Sequence, residues 1–551
     1  MKRRLAFGVL AWLAVRAASA DVSPNQAASA REPGFERAAA NGVKAEEVFR
    51  RTRRMLHAWL AYADPRTLLL PDRLPGYKGD PEGLHTYRPH NSGADNYPYL
   101  VATAWFTERP LFEGRLREML RNEIRYTNAQ DGIPANLDLA TGKLGPPSLF
   151  GAAEYAKDGL IAITELLGRT PWFYRMTDMT ADLMEHAPVA SDFGPLPDTG
   201  AELNGDVLQT LVRLAPMTGE ARFLEWARRI GDAYVREILP RNHDLPGYTW
   251  DFAKHEGPDR MRLRDHGNEM VVGLELLFAL EGELGGERAH TMRAPLERML
   301  DRILASTNPD GLLYDEIRPS DGKPLSERLS DNWGYVYGAV YTHYMVTGDE
   351  RYRQAVLRVL RALPRYRGHD WENGSQDGYA DSIESALYLV AREPVPEALD
   401  WIETETARLV AFQQEDGIVE RWYGDGNWAR TLLLYAMMKT QGCFLDGWQE
   451  GVKLGAVRDG ARLLVSLQAP AGWKGRLRFD HARHRRDLNF RRNYVRLNEW
   501  PEWFTVDENT LYRLSDGAGR ELVRLGSDLE DGVEVSDSSR WVVEPFPQPQ
   551  R

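Results

Sequence analysis

The chain of 551 residues holds one cysteine, Cys443. No intramolecular disulfide can form, so the fold must rest on its core, and a chain of this length can bury a large one. Long apolar runs are also missing. A bilayer-spanning helix needs about 20 consecutive apolar residues, and the best stretch, Leu5–Val15, is too short. Basic charge is scarce, with 69 Lys and Arg against 81 Asp and Glu and a net charge of -12. That balance argues against nucleic acid or an anionic membrane surface as a partner. There is no His-x-x-x-His pair, so a dedicated zinc site is not expected. Phosphate loops, a Gly-rich dinucleotide fingerprint and a Ser nucleophile elbow are absent as well. No cofactor is called for, although a structural Ca²⁺ held by loop carboxylates stays open. The oligomeric state also stays open.

Residues 1–20 have the form of a secretory signal. Lys2-Arg3-Arg4 precedes a short apolar core, and Ala18-Ser19-Ala20 supplies a small-residue cleavage site. The expectation is an exported protein, periplasmic or extracellular. The signal carries four basic residues and no acids, so the mature chain would stand near -16. Residues 21–42 are rich in Ala and Ser and aperiodic, which predicts a flexible leader.

From 43 to 445 the helical period dominates. Apolar residues recur at i, i+3, i+4 and i+7 in about fourteen segments, the first near 44–63 and the last near 427–441. Segments charged on one face, such as Phe112–Asn128 and Arg288–Ala305, alternate with segments rich in Gly, Ala and aromatics, such as Gly267–Leu280 and Gly334–Tyr344. A half-solvated outer helix followed by an inner helix crowded on both sides is the requirement of an α/α toroid. A second repeat has the same phase: Asp131-Gly132-Ile133, Asp310-Gly311-Leu312 and Asp416-Gly417-Ile418 each follow a charged helix. Each is a turn closed by an aliphatic plug, and its recurrence marks stacked hairpins. The predicted fold is mainly α, an (α/α)6 or (α/α)7 toroid followed by a small C-terminal antiparallel β-domain at 455–547. There the period shortens, in Ala461–Leu467, Gly475–Phe479, Tyr494–Leu497, Trp503–Val506, Thr510–Leu514 and Arg540–Val543.

Polar clusters fall where inner helices begin. The most concentrated is Arg264-Asp265-His266-Gly267-Asn268-Glu269. The bland reading is a capped helix with acids in its first turn. The functional reading sets an acid, an imidazole and a second acid at one helix mouth, which suits proton transfer. Similar clusters recur in the other inner segments. In a toroid all inner-helix N-termini point to one end, so these clusters converge on a shared cavity, and caps alone do not call for the aromatics they carry. The catalytic candidates are Glu269, Asp265, His266, Asp331, Asp206 and Asp95. Glu269, crowded by apolar neighbours, is the expected proton donor. Asp265 or Asp331 would be its ionised partner, with Asp206 and Asp95 as alternatives. Expected on the substrate are Arg88, His90, Asn91, Tyr97, Tyr155, Glu202, Asn204, Asn268, Trp333, Tyr337, Asp381, Asp425, Trp428 and Arg430. The 16 Trp and 23 Tyr suit pyranose stacking but suit a large core equally well.

Repeated hairpins with Asp-Gly-aliphatic turns, acids and aromatics at the inner-helix mouths and a small β-domain together resemble the α/α-toroid carbohydrate-active enzymes, often called six-hairpin glycosidases. These include unsaturated glucuronyl hydrolases and heparinase-type polysaccharide lyases. The resemblance covers roughly residues 43–546 and is architectural. Trp428–Arg430 loosely resembles the last inner helix of the glucuronyl hydrolases, and no catalytic aspartate is carried over. Asp265-His266-Gly267 resembles the Asn-His-Gly stretch of the heparinase-type lyases, with Asp in place of Asn, which sets negative charge where a uronate would bind. The resemblance implies an enzyme acting on an oligosaccharide or polysaccharide. A glycoside hydrolase, acting on uronic-acid-containing sugars among others, needs two carboxyl groups across the cavity. A lyase needs a cation or amide on the uronate and a Tyr or His base, for which His266 with Asn268, His90 with Asn91, and Tyr337 or Tyr341 are candidates. A non-catalytic glycan-binding protein would show an aromatic platform without paired acids. The mouth carries more acids than bases, which favours the hydrolase.

Overall fold

A computed structural model describes residues 32–264, 267, 269–516 and 519–546. Seven outer helical rods alternate in sequence with seven inner ones. The outer rods are α1 (Glu32–Leu60), α3 (109–127), α5 (Pro171–Glu185), α7 (221–241), α9 (Glu287–Ala305), α11 (Glu350–Ala362) and α13 (Pro396–Val410). The inner rods are α2 (Tyr97–Thr107), α4 (149–167), α6 (Ala201–Thr218), α8 (Glu269–Leu284), α10 (Trp333–Thr347), α12 (Gln376–Val390) and α14 (Asp425–Thr440). Each inner helix packs on the next, and α14 closes the ring by packing on α2. Among the described residues the ring therefore has seven hairpins. The inner helices are buried around most of their circumference, whereas α7 and α11 bury one stripe. This is the asymmetry that the alternating composition predicts.

The Asp-Gly turns sit as expected. Asp131, Gly311 and Gly417 have positive φ of 50°, 98° and 93°. Ile133, Leu312 and Ile418 plug the core at 0–1% exposure.

Helix α1 begins at Glu32 rather than near residue 44. Its first turns lie on the C-terminal sheet, where an ideal Cβ on Gly455 would stand 2.1 Å from the Ala38 carbonyl and 2.2 Å from the Gly42 nitrogen. The helix and strand backbones touch, which only glycine allows. Small residues that read as aperiodic leader therefore make a packed contact.

Past α14 come strands β1 (Phe444–Asp446), β2 (Lys453–Asp459), β3 (Arg462–Gln468), β4 (Lys474–Arg478), β5 (Leu511–Asp516), β6 (Glu521–Leu525), β7 (Val533–Ser536) and β8 (Ser539–Pro545). One antiparallel sheet runs β6-β5-β8-β3-β2 and a smaller one runs β7-β4-β1. The strand expected over Tyr494–Leu497 does not form. Residues 488–500 instead leave the β-region and plug the base of the toroid, where Leu488, Phe490, Tyr494, Val495, Leu497 and Trp500 join the helical core. Arginine side chains meet their backbone in place of a neighbouring strand. Arg213 donates to Leu497 O at 2.6 Å, and Arg496 and Arg392 both donate to Tyr494 O, at 2.6 and 3.0 Å. No helix among the described residues is long and apolar enough to cross a membrane.

Candidate active site

The inner helices present their N-terminal turns at one end of the ring. Close packing there brings the last inner helix onto the first: an ideal Cβ on Gly426 would stand 1.6 Å from Asp95 O. Polar residues gather in two layers below that rim.

The upper layer is partly open to solvent. Asp377 and Asp381 lie one turn apart on α12 and share a face. Asn427 Nδ2 donates to Asp377 Oδ1 at 2.6 Å. Arg430 reaches Asp381 at 2.5 Å and Glu384 at 2.6 Å, and Tyr335 donates to Glu384 at 2.7 Å. Arg264 lies 3.6 Å from Asp331 and pairs with Glu372. Desolvation, with the charges of Asp381, Asp331 and Asp95 against it, pushes Asp377 well above the usual carboxylate range, and these outweigh the Asn427 hydrogen bond. Glu384 is pushed up to about 7, chiefly by burial, with Arg430 opposing. The mouth thus holds a carboxyl, Asp377, whose hold on its proton is strengthened, beside one, Asp381, that is ion-paired.

The lower layer is sealed. Lys157 Nζ meets Glu269 at 2.5 Å and Asp158 at 2.6 Å, and Gln209 donates to the other oxygen of Glu269. Lys157, Glu269 and Asp206 are all at most 3% exposed. Glu154 is pushed well above the usual range by burial and by Asp206 and Asp158. Desolvation alone would lower Lys157, but Asp158, Glu269 and Asp206 outweigh it and raise it. Asn498, from the C-terminal plug and left-handed at φ 58°, floors this layer. Its amide donates to Asp158 Oδ1 at 3.0 Å and Lys157 O at 3.1 Å, and its backbone N–H donates to the Tyr388 hydroxyl at 3.0 Å. Tyr388 in turn donates to Glu384, which joins the two layers.

Of the expected catalytic residues, Asp95 and Asp331 line the upper layer, and Glu269 and Asp206 the lower. Asp265 and His266, with Asn268, lie outside the described residues. Glu269, expected as the proton donor, has the Lys157 ammonium beside it at 2.5 Å. Among the expected binding residues, Asp381 and Arg430 reach the mouth. His90 lies against Phe150 with ring centroids 5.4 Å apart and planes tilted by 50°, and burial with the Arg88 and Arg73 charges lowers it to about 4.

Others are turned to structural tasks. Arg88 bridges Asp72 and Asp80 at 2.7 and 2.6 Å, and Asn91 bonds Asp72. Tyr97 donates outward to Leu116 O at 2.8 Å and accepts from Trp172. Asn204 donates to Asp198 O and Gly200 O at 2.7 and 2.9 Å, closing the start of α6. Trp333 donates to Ser382 and Trp428 to Leu409 O. Tyr337 donates to Gly311 O in the Asp-Gly turn and Tyr341 to Glu393, so neither tyrosine proposed for a lyase faces the mouth. Asp425 accepts from Trp59 and from the Val419 and Glu420 backbones at 2.8, 3.0 and 2.7 Å. Tyr155 is fully buried and Glu202 only partly so.

Sequence reasoning missed Lys157, Gln209, Tyr388 and Asn498. Lys157 and Gln209 stand mid-helix, Tyr388 in the last turn of α12 and Asn498 in the plug. Asp377 and Glu384 lie within four residues of Asp381, which was expected on the substrate, but were not themselves expected.

No protein-family model matches the chain, and no curated protein matches it. Solved structures similar to it include a glycoside hydrolase family 76 mannosidase from Bacteroides thetaiotaomicron, at 12% identity and a TM-score of 0.41, covering 71% of this chain and 98% of that one. Another is a D-mannose isomerase, at 14% identity and 0.39, covering 56% and 84%. A third is the unsaturated glucuronyl hydrolase of Bacillus sp. GL1, at 13% and 0.38, covering 52% and 85%.

Proposed function

We propose that this protein is an exported glycoside hydrolase that cleaves oligosaccharides at the open end of the toroid, with Asp377 as proton donor. Glycosidic cleavage needs a carboxyl group that holds its proton at the working pH and a second carboxylate as base or nucleophile. Asp377 is the observation that carries the reading. It is partly exposed, and its surroundings raise it well above the carboxylate range. Asp381, paired to Arg430, and Asp331, beside Arg264, are the neighbouring carboxylates. The sealed Lys157–Glu269 layer serves in this reading as the rigid floor. Three or more acids at the mouth, with the candidate lyase tyrosines turned away, favour hydrolysis over β-elimination, and paired acids favour an enzyme over a binding protein.

The test is a panel of neutral and uronic-acid-containing oligosaccharides assayed for new reducing ends. Asp377→Asn should lower turnover at least about 100-fold on whichever sugar the wild type cleaves, the low end for loss of a general acid. Unchanged turnover would overturn the assignment. Formation of an unsaturated uronide, seen by its ultraviolet absorbance, would make the protein a lyase.

A further inference from the structure

A second cavity lies at the opposite end of the ring, between the C-terminal ends of inner helices and the β-region. Its volume is about 280 Å³. Its walls include the aromatic residues Trp105, Phe444 and Phe479 and the charged residues Asp480, Arg483 and Glu530. An inner helix of about 16 residues is roughly 24 Å long, so this site is remote from Asp377.

Three observations characterise it. First, Arg483 is 2% exposed. Its Nη2 donates to Trp500 O at 2.7 Å and contacts Asp480 at 2.9 Å, while its Nε and Nη1 meet no protein acceptor. Second, acceptors stand on the same wall. Glu530 Oε1 is buried without a donor, and Asp480 Oδ2 touches Arg483 as an ion pair with no hydrogen aligned on it. Buried donors and acceptors left unmade each cost about 1–3 kcal/mol, so such a wall is suited to a partner that both gives and takes hydrogen bonds. Third, the charges cancel. Besides the Arg483–Asp480 contact, Arg478 pairs with Asp446 at 3.3 Å, His481 with Asp487 at 2.8 Å, and Arg486 with Glu530. No excess of either sign remains to select an ion.

We propose that this cavity binds a neutral, polyhydroxylated ring, a monosaccharide or the end unit of an oligosaccharide, as a site separate from the mouth. Each hydroxyl is at once donor and acceptor, which matches the unpaired Arg483 and Glu530 atoms. The aromatic wall of Trp105, Phe444 and Phe479 suits the apolar face of the ring. Ligand pockets run from about 300 to 1,000 Å³, and a volume of about 280 Å³, just below that range, suits a single ring. The inference stands independently of the hydrolase reading, since none of its residues belongs to the mouth.

The experiment is titration calorimetry of the full chain with glucose, mannose and galactose, with glucuronate as the charged control. At least one neutral hexose should bind the wild type and Asp377→Asn alike, and bind at least tenfold more weakly to Leu167→Trp, which fills the cavity while leaving its hydrogen bonds in place. Hydrogen exchange of the wild type with that hexose should slow at residues 480–487, a readout that holds even if the filled variant does not fold. Absence of hexose binding, equal binding by a folded Leu167→Trp, exchange protection only at the mouth, or tighter binding of glucuronate would each overturn the proposal.

Discussion

Asp377 and Glu269 carry the same functional group into opposite surroundings. Burial raises a carboxyl and a neighbouring cation lowers it. Asp377 has three carboxylates acting against it and one amide in support, whereas Glu269 meets the Lys157 ammonium at 2.5 Å. An acid of ordinary strength titrates near about 4 and would be spent as a donor at neutral pH. Because Asp377 is held well above that value, kcat/KM should survive into neutral pH and fall on the alkaline side as Asp377 loses its proton. A pH–rate profile whose alkaline fall lies near the ordinary aspartate value would show that the proton is not held. Lys157 belongs to a different test. Lys157→Met leaves Glu269 and Asp158 in a sealed layer without their cation, and removal of one partner of a buried pair costs about 3–5 kcal/mol. Thermal melting should show a large loss of stability. A variant with wild-type melting and lost activity would give the lysine a direct chemical part instead.

At the scale of elements, the alternating helices and their Asp-Gly turns were legible because their signals are local: one-sided charge, small residues, and a left-handed turn in three of the seven hairpins. The mouth was legible in outline, since helix starts concentrate acids. The partner of Glu269 was not, because Lys157, although only two residues past Tyr155, reaches Glu269 across 112 residues of sequence. The plug was misread for a related reason. Tyr494-Val-Arg-Leu497 has the composition of a strand, but all four residues are at most 3% exposed. Its backbone is met by Arg213, Arg392 and Arg496 and by Thr342, which accepts from Val495 N at 3.2 Å. Side chains contributed from distant helices substitute for a ladder, and no local pattern announces that. Trp500 anchors the segment, 2% exposed and donating to Ala162 O at 2.8 Å. Trp500→Ala should cost about 3–5 kcal/mol, as for other buried Trp and Phe truncations. Denaturant unfolding should show a lower midpoint, and an unchanged one would mean that the plug is not part of the folded core.

For the whole molecule, the consequence is that toroid and β-region cannot be separated cleanly. Two independent contacts tie them. Helix α1 lies backbone to backbone on β2 at Gly42 and Gly455, with α1 also packed on α14. The plug carries Asn498 under the Lys157 layer, Arg496 onto Glu165 at 2.9 Å, and Glu499 onto Arg392, just past the end of α12. A protein cut after Gly442 would expose the apolar base that Val495, Leu497 and Trp500 now fill, and would leave Glu165 with Arg213 alone. It would also strip the lower layer of its floor. Multidomain chains commonly melt in steps, but here both ties cross the boundary, so one cooperative transition is expected by calorimetry. The truncated chain of residues 32–442 should be unfolded or aggregated. Gly455→Val provides the milder form of the same test: its side chain must push α1 away from β2, and the single transition should move to lower temperature as a whole. Two transitions in the wild type, or a truncated toroid that melts where the full chain does, would show that the helical ring stands without its plug.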